Sequence, residues 1–100
     1  MIEFSIAEKQ IIIAILIAIM EADGIIDPHE IDYLDGVILS FGMSEFELDA
    51  IDECDYNQIV AEFKKFDTLK KDKALVLFLE MAKCDGYADP RELQIISSLA

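Results

Sequence analysis

The stretch that decides the fold is Asp23-Gly24-Ile25-Ile26-Asp27-Pro28-His29-Glu30, and it recurs 62 residues later as Asp85-Gly86-Tyr87-Ala88-Asp89-Pro90-Arg91-Glu92. Asp, Gly, Asp, Pro and Glu stand at corresponding places in both copies. An apolar segment precedes each copy and a segment with an apolar stripe follows it, the pattern of two helices joined by a tight corner. The duplication predicts two equivalent helix–corner–helix units in a pseudo-twofold arrangement.

Folding alone accounts for much of each corner. Gly24 supplies the left-handed conformation in which helices often end. Asp27 is a cap for the next helix, and Pro28 suits its first position. Glu30, three residues after the cap, completes a capping box and lies at the positive end of the helix macrodipole. Together these devices stabilise a corner by roughly 1–3 kcal/mol.

Working outward from the corners, start and stop signals predict an all-α domain of about six helices over residues 1–100. The first helix follows the capping box Ser5–Glu8, runs to Met20 and is apolar nearly all round, which predicts a buried central helix. The second stops at Gly42. The other helices are capped, in order, by Ser44, Asp55, Thr68 and Asp89.

Apolar stripes on the outer helices predict which side chains face the core. The second helix carries Ile31, Leu34, Val37, Ile38 and Phe41, with Asp32 and Asp35 facing away. The third and fourth carry Phe46, Leu48 and Ile51, then Ile59, Val60, Phe63 and Phe66. The fifth and sixth carry Leu75, Phe78, Leu79 and Ala82, then Leu93, Ile96 and Leu99.

Composition excludes several classes of protein. The chain has 54% hydrophobic residues, enough for a core without disulfides, so Cys54 and Cys84 are expected to be reduced and buried. The start lacks the basic region of a signal peptide. The apolar run from Ile11 to Met20 is too short to span a bilayer as a helix, because ten helical residues rise only about 15 Å.

The charge distribution bears on partners. The net charge is −13, and the stretch from Glu21 to Asp55 holds twelve acids and no Lys or Arg. Such a surface repels nucleic acid and anionic membranes, and attracts cations or basic peptides. Most bases lie between Lys64 and Lys73, where they could pair with the acidic face of another copy.

Two carboxylates are not explained by capping. Asp23 and Asp85 each lie at the C-terminal end of a helix, where the macrodipole disfavours negative charge by roughly 0.3–1 kcal/mol. Each therefore needs a compensating partner, which is either a backbone N–H, a base such as Lys83, or a divalent cation. Hard cations favour clustered oxygen ligands, and two corners that meet would offer up to six carboxylates.

Around this motif the chain resembles the tellurite-resistance TerB-like family, through residues 20–30 and 82–92 and their flanking helices. The resemblance covers essentially the whole chain and implies a compact helical domain in a cytoplasmic bacterial protein, attached to stress-response or tellurite-resistance systems. Related domains occur in DnaJ-like membrane co-chaperones. Cys84 departs from the family pattern, in which a small residue is usual. The resemblance implies a metal site formed by Asp23, Asp27, Glu30, Asp85, Asp89 and Glu92.

Other site classes fit less well. An EF-hand loop would place Ile19 or Met81 at its first ligand position, where an oxygen is required. His29 is the only histidine, and neither cysteine lies in a Cys-x-x-Cys motif, so neither catalysis nor a zinc site is expected. The leading hypothesis is a non-enzymatic domain that binds a divalent metal ion. The alternative is an interaction module, with structural corners, that binds a protein partner or a second copy of itself.

Overall fold

The described part of the chain is entirely helical, which confirms the predicted all-α class. The computed structural model describes residues 4–21, 28–49, 55–83 and 90–99, and these contain no strand. Their six helices are α1 (Ile6–Glu21), α2 (Pro28–Phe41), α3 (Glu45–Asp49), α4 (Tyr56–Lys64), α5 (Thr68–Lys83) and α6 (Pro90–Leu99).

Helix α1 is the centre of the bundle, as its all-round apolar sequence predicts. Five consecutive residues from Ile12 to Leu16 are buried, so no side of this helix faces solvent along that stretch. All five other helices pack against it. Its start is the predicted capping box: the Ser5 amide donates to Glu8 Oε1 (2.7 Å), and the Glu8 amide donates to Ser5 Oγ (3.2 Å).

One hydrophobic core joins the helices. Around α1, its buried side chains include Leu34, Val37, Ile59, Phe63, Ala74, Phe78, Met81, Ala82, Ile96 and Leu99. The rings of Phe63 and Phe78 are fully buried, with centroids 5.5 Å apart, and they join α4 to α5. Burying a side chain of this size contributes roughly 1.5–3 kcal/mol, so the two rings are major contributors to stability.

Some residues of the predicted stripes lie outside the core. Ile31, Leu79 and Leu93 are between 37% and 41% exposed, and Phe46 is 84% exposed. In α5 the core is built instead from Ala74 and Met81, together with Phe78 and Ala82. These outer helices each bury a face narrower than their apolar stripe, so residues at the edges of a stripe stay in contact with water. Ile51, Cys54 and Cys84 are outside the described residues.

Where the structure describes the capping residues, helix ends follow the sequence signals with one correction. Gly42 ends α2 with a φ of 67°, and Ser44 caps α3 in a capping box with Glu47. Asp55 caps α4 through the amide of Asn57. The cap of α5 is Asp67, whose Oδ1 accepts from the Lys70 amide (2.9 Å), and the prediction of Thr68 was wrong. Thr68 is itself the first helical residue, so the cap is the residue before it.

Helix bounds in the two predicted units correspond at the same offset of 62. Helix α1 covers Ile6–Glu21 and α5 covers Thr68–Lys83, while α2 begins at Pro28 and α6 at Pro90. Every buried residue of α5 also matches a buried residue of α1. The pairs are Ile12 with Ala74, Leu16 with Phe78, Ile19 with Met81, and Met20 with Ala82. The units thus share helix bounds and buried positions, and the pseudo-twofold axis stays a prediction.

Candidate functional site

Most of the proposed metal ligands lie where the structure is not described. Asp23, Asp27, Asp85 and Asp89 fall outside the described residues. Glu92 lies in the first turn of α6, but its side chain is also outside them. Glu30 is therefore the one proposed ligand whose side chain can be placed, and the corner prediction is neither confirmed nor contradicted for the others.

Glu30 is the one buried charged residue in the described part of the chain. Its side chain lies in the first turn of α2 and is only 3% exposed. Burying a carboxylate is costly unless other groups compensate for its lost hydration. The positive end of the α2 macrodipole is one such group, and Glu30 also has at least one interaction partner. An acid so placed is a candidate ligand for a cation that binds at the corner.

Two side-chain contacts join helices of the two predicted units. Tyr33 Oη donates to Glu80 Oε2 (2.9 Å) and lies 3.2 Å from the carbonyl oxygen of Leu77, which joins the beginning of α2 to the last turns of α5. Lys70 Nζ lies 2.9 and 3.1 Å from the carboxylate oxygens of Glu8, so α1 and α5 begin side by side. Glu8 and Lys70 are equivalent positions of the two units.

Other carboxylates are engaged in helix capping. A hydrogen bond from the Ser5 backbone amide, with a smaller contribution from Lys70, holds the pKa of Glu8 below its ordinary value of 4.5. The pKa of Glu47 is lowered in the same way, by the backbone and hydroxyl of Ser44. Among the residues that the structure describes, no three His, Cys, Asp or Glu side chains are grouped closely enough to hold a metal ion.

A second candidate site is an open groove between α2 and α5. It has a volume of about 250 Å³ and is lined by Asp32, Tyr33, Gly36, Val37, Phe41 and Leu77, with Ser40 at its edge. Small-molecule sites usually measure about 300–1,000 Å³, so this groove suits one or two inserted side chains better than a cofactor. Its lining is mostly apolar, since Val37, Phe41 and Leu77 also pack on the core.

Gly36 forms part of the floor of this groove. It lies in the interior of α2, where a glycine is less favourable than alanine by roughly 0.5–1 kcal/mol. A Cβ added at Gly36 would meet no other atom within 4 Å, so internal packing does not require a glycine here. Gly36 therefore leaves open space on this side of α2 where a side chain would lie.

One sequence prediction about the surface has a partial outcome. The lysines expected to pair with another copy are partly engaged within the chain, because Lys70 pairs with Glu8 and Lys65 with Glu62 (3.2 Å). Phe4 of the apolar N-terminus packs against Phe41 and Phe66, with ring centroids 6.0 and 6.4 Å away. Residues 1–3 are outside the described part of the chain.

Comparisons of the chain with protein-family models, curated proteins and solved structures gave no match. The resemblance to the TerB-like family therefore stays a prediction from the motif. No helix in the described ranges is both long and apolar enough to cross a membrane.

The groove is the feature that sequence reasoning missed. Its walls come from helices separated by the whole α3–α4 segment, so no local pattern predicts that they meet. One signal was present, because Gly36 interrupts an otherwise regular helical pattern between Leu34 and Val37. A glycine at such a position indicates either close packing or a surface that another molecule approaches.

Proposed function

We propose that this chain is a non-enzymatic TerB-like helical domain that binds a divalent cation at its acidic corners, in a cytoplasmic stress-response or tellurite-resistance system. The ligands would come from Asp23, Asp27, Glu30, Asp85, Asp89 and Glu92. The observation that carries the proposal is the burial of Glu30 at the start of α2, next to the first corner. A buried carboxylate that follows two further acids in the sequence points to a local excess of negative charge that a divalent cation would neutralise.

The packing of the helices supports a shared site. The Tyr33–Glu80 contact holds the beginning of α2, with Glu30, beside the last turns of α5. The second corner follows α5 directly in the sequence, so it begins at a helix end that lies beside the start of α2. Oxygen ligands gathered from several segments are what Ca²⁺, Mg²⁺ or Mn²⁺ bind, and six carboxylates exceed the number that one Mg²⁺ usually takes from protein.

Thermal and chemical unfolding with and without cations test this proposal. Ca²⁺, Mg²⁺ and Mn²⁺ are added separately to the chelator-treated protein. An ion at 100 times its Kd should raise the free energy of unfolding by about 2.7 kcal/mol. The gain should disappear in the double variant Asp23→Asn/Asp85→Asn, and Glu30→Gln should reduce it.

The matched control is Asp35→Asn/Asp72→Asn, which removes the same charge from two exposed positions in α2 and α5. This control should keep the full cation response if the corners bind the ion, and should lose it if the response only reflects general charge neutralisation. The proposal would be contradicted if none of the three ions stabilised the protein at millimolar concentration.

A protein-interaction module, in which the corners only cap helices, is the second candidate. The open groove between α2 and α5 favours it, together with the surface exposure of Leu39 (81%) and Phe46 (84%). Apolar surface of this kind becomes favourable to bury when a partner covers it.

A further inference from the structure

We infer that the α2–α5 groove binds an amphipathic helix with basic flanks, supplied by another protein. This inference concerns the interaction candidate and is independent of the cation site. It depends on three features of the described residues: the helix that packs on the two corresponding helices of the other unit, the open space at Gly36, and the charge around the groove.

The other unit shows which kind of element packs on a pair of helices such as α2 and α5. Helix α4 packs against α1 and α6, which correspond to α5 and α2 at the 62-residue offset. It does so through Ile59 and Phe63, two buried residues spaced i and i+4. On the other unit, no described helix except the central α1 packs substantially on both α2 and α5. A helix with apolar residues at the same spacing is therefore the occupant that the groove fits.

The floor of the groove allows a close approach. Gly36 has open space where a side chain would be, so a partner helix can approach the α2 backbone there. Beside it, Val37 and Leu77 present apolar surface, and the Tyr33 hydroxyl is already bonded across the groove to Glu80. An inserted Leu or Phe side chain would thus meet apolar lining from Val37 and Leu77, beside a tyrosine hydroxyl that already has partners within the chain.

The charge around the groove indicates whether its occupant is a second copy of this chain or a different protein. Asp32 lines the groove, Asp35 is exposed on the same helix, and α2 and α3 contain no Lys or Arg. With a net charge of −13, two copies of this chain repel each other, while a helix flanked by Lys or Arg is attracted. Lys73, one turn before Leu77 on α5, is exposed and would suit an acidic residue of that partner.

Synthetic peptides of about 18 residues test the inference. The first has a leucine face flanked by lysines, the second replaces the lysines with glutamates, and the third scrambles the first so that no apolar face remains. Binding is measured by calorimetry at fixed ionic strength and by the amide NMR shifts of Gly36, Val37 and Leu77. The leucine–lysine peptide should bind at least about tenfold more tightly than the other two and should shift these three amides.

Gly36→Leu is the decisive variant, because it adds apolar bulk to the groove at a position where the Cβ meets no other atom within 4 Å. It should weaken the peptide at least about tenfold, while Ser98→Leu, the exposed equivalent position on α6, should change affinity less than about twofold. Asp32→Lys should weaken the leucine–lysine peptide and strengthen the leucine–glutamate peptide, which provides a second variant should Gly36→Leu fold poorly by circular dichroism.

Three results would overturn the inference. Equal binding of the scrambled peptide would show attraction by charge alone. Unchanged binding by a folded Gly36→Leu variant would place the peptide elsewhere. A concentration-dependent dimer in sedimentation experiments that Gly36→Leu abolishes would make a second copy the occupant.

Discussion

Helices α1 and α5 occupy the same position in the two units, yet their surroundings differ. Both have 16 residues, both begin beside each other at Glu8 and Lys70, and their shared buried positions match in pairs. Helix α1 nevertheless has seven buried residues where α5 has four. The three additional buried residues of α1 are Ile13, Ala14 and Ile15, whose equivalents in α5 are Leu75, Val76 and Leu77. Ile15 is fully buried, whereas Leu77 is only half-buried and lines the groove.

The difference comes from the segment that joins the units. Helices α3 and α4 both pack on α1, so the linking segment covers the first unit's central helix. Gln10 Nε2 donates to the Glu47 carbonyl (2.9 Å) and fixes α3 in place. Helix α5 has no such cover among the described residues, and Leu69 and Val76 remain 69% and 49% exposed. The two units thus differ in exposure, because α1 is covered by the linking segment and α5 presents a surface.

The largest expected effect is on stability when the equivalent positions are truncated. Ile15→Ala should lower the free energy of unfolding by about 2–5 kcal/mol, because it leaves a cavity in a fully buried place. Leu77→Ala should cost about 1–2 kcal/mol, because part of this side chain is already in water. Urea denaturation at a constant m-value measures both. Equal losses of stability would show that Ile15 and Leu77 are equally well packed and that the groove is closed in solution.

Gly36→Ala has a smaller expected effect, in the opposite direction. Alanine restricts the unfolded chain and suits a helix interior, so the free energy of unfolding should rise by about 0.5–1 kcal/mol. The control is Ser98→Ala at the equivalent place in α6, whose hydroxyl donates to the Ile95 carbonyl (2.7 Å) near the end of the helix, and its effect should be smaller. Thermal melting of both variants measures the difference. Destabilisation by Gly36→Ala would mean that the groove floor is packed against other atoms.

Much of the fold was predictable because its signals are local. The capping boxes Ser5–Glu8 and Ser44–Glu47 and the stop at Gly42 are all present as predicted. The cap of α5 was predicted one residue too late, since Asp67 and Thr68 are adjacent and both have capping side chains. Phe46 was expected in the core, but α3 is a single short helix, and the face that it buries depends on how it meets α1.

The candidate sites include features that the sequence alone does not predict. The sequence singled out Glu30 as a cap and a possible ligand, but its burial depends on helices that pack around the start of α2. The groove needs α2 and α5 side by side, and the Tyr33–Glu80 bond that joins them spans 47 residues of sequence. Patterns along the chain identify acids and helix ends, whereas exposure and clefts arise from contacts between distant segments.

The smallest expected effect concerns the contact that joins the two units at equivalent positions. Glu8→Gln keeps the capping box but removes the charge that pairs with Lys70, and it should lower the free energy of unfolding by about 0.3–1 kcal/mol at neutral pH. Since folding lowers the pKa of Glu8 below 4.5, its stabilising contribution is complete above that value and is lost as pH falls through the folded pKa. The free energies of unfolding of wild type and variant should therefore become equal at acidic pH. Urea denaturation between neutral and acidic pH measures this convergence. Glu47→Gln is the matched control, because Glu47 is also in a capping box with a lowered pKa, to which the charge of Lys9 makes only the smallest contribution. If both substitutions had equal effects, capping alone would explain the stability of Glu8, and the Lys70 contact between the units would contribute nothing.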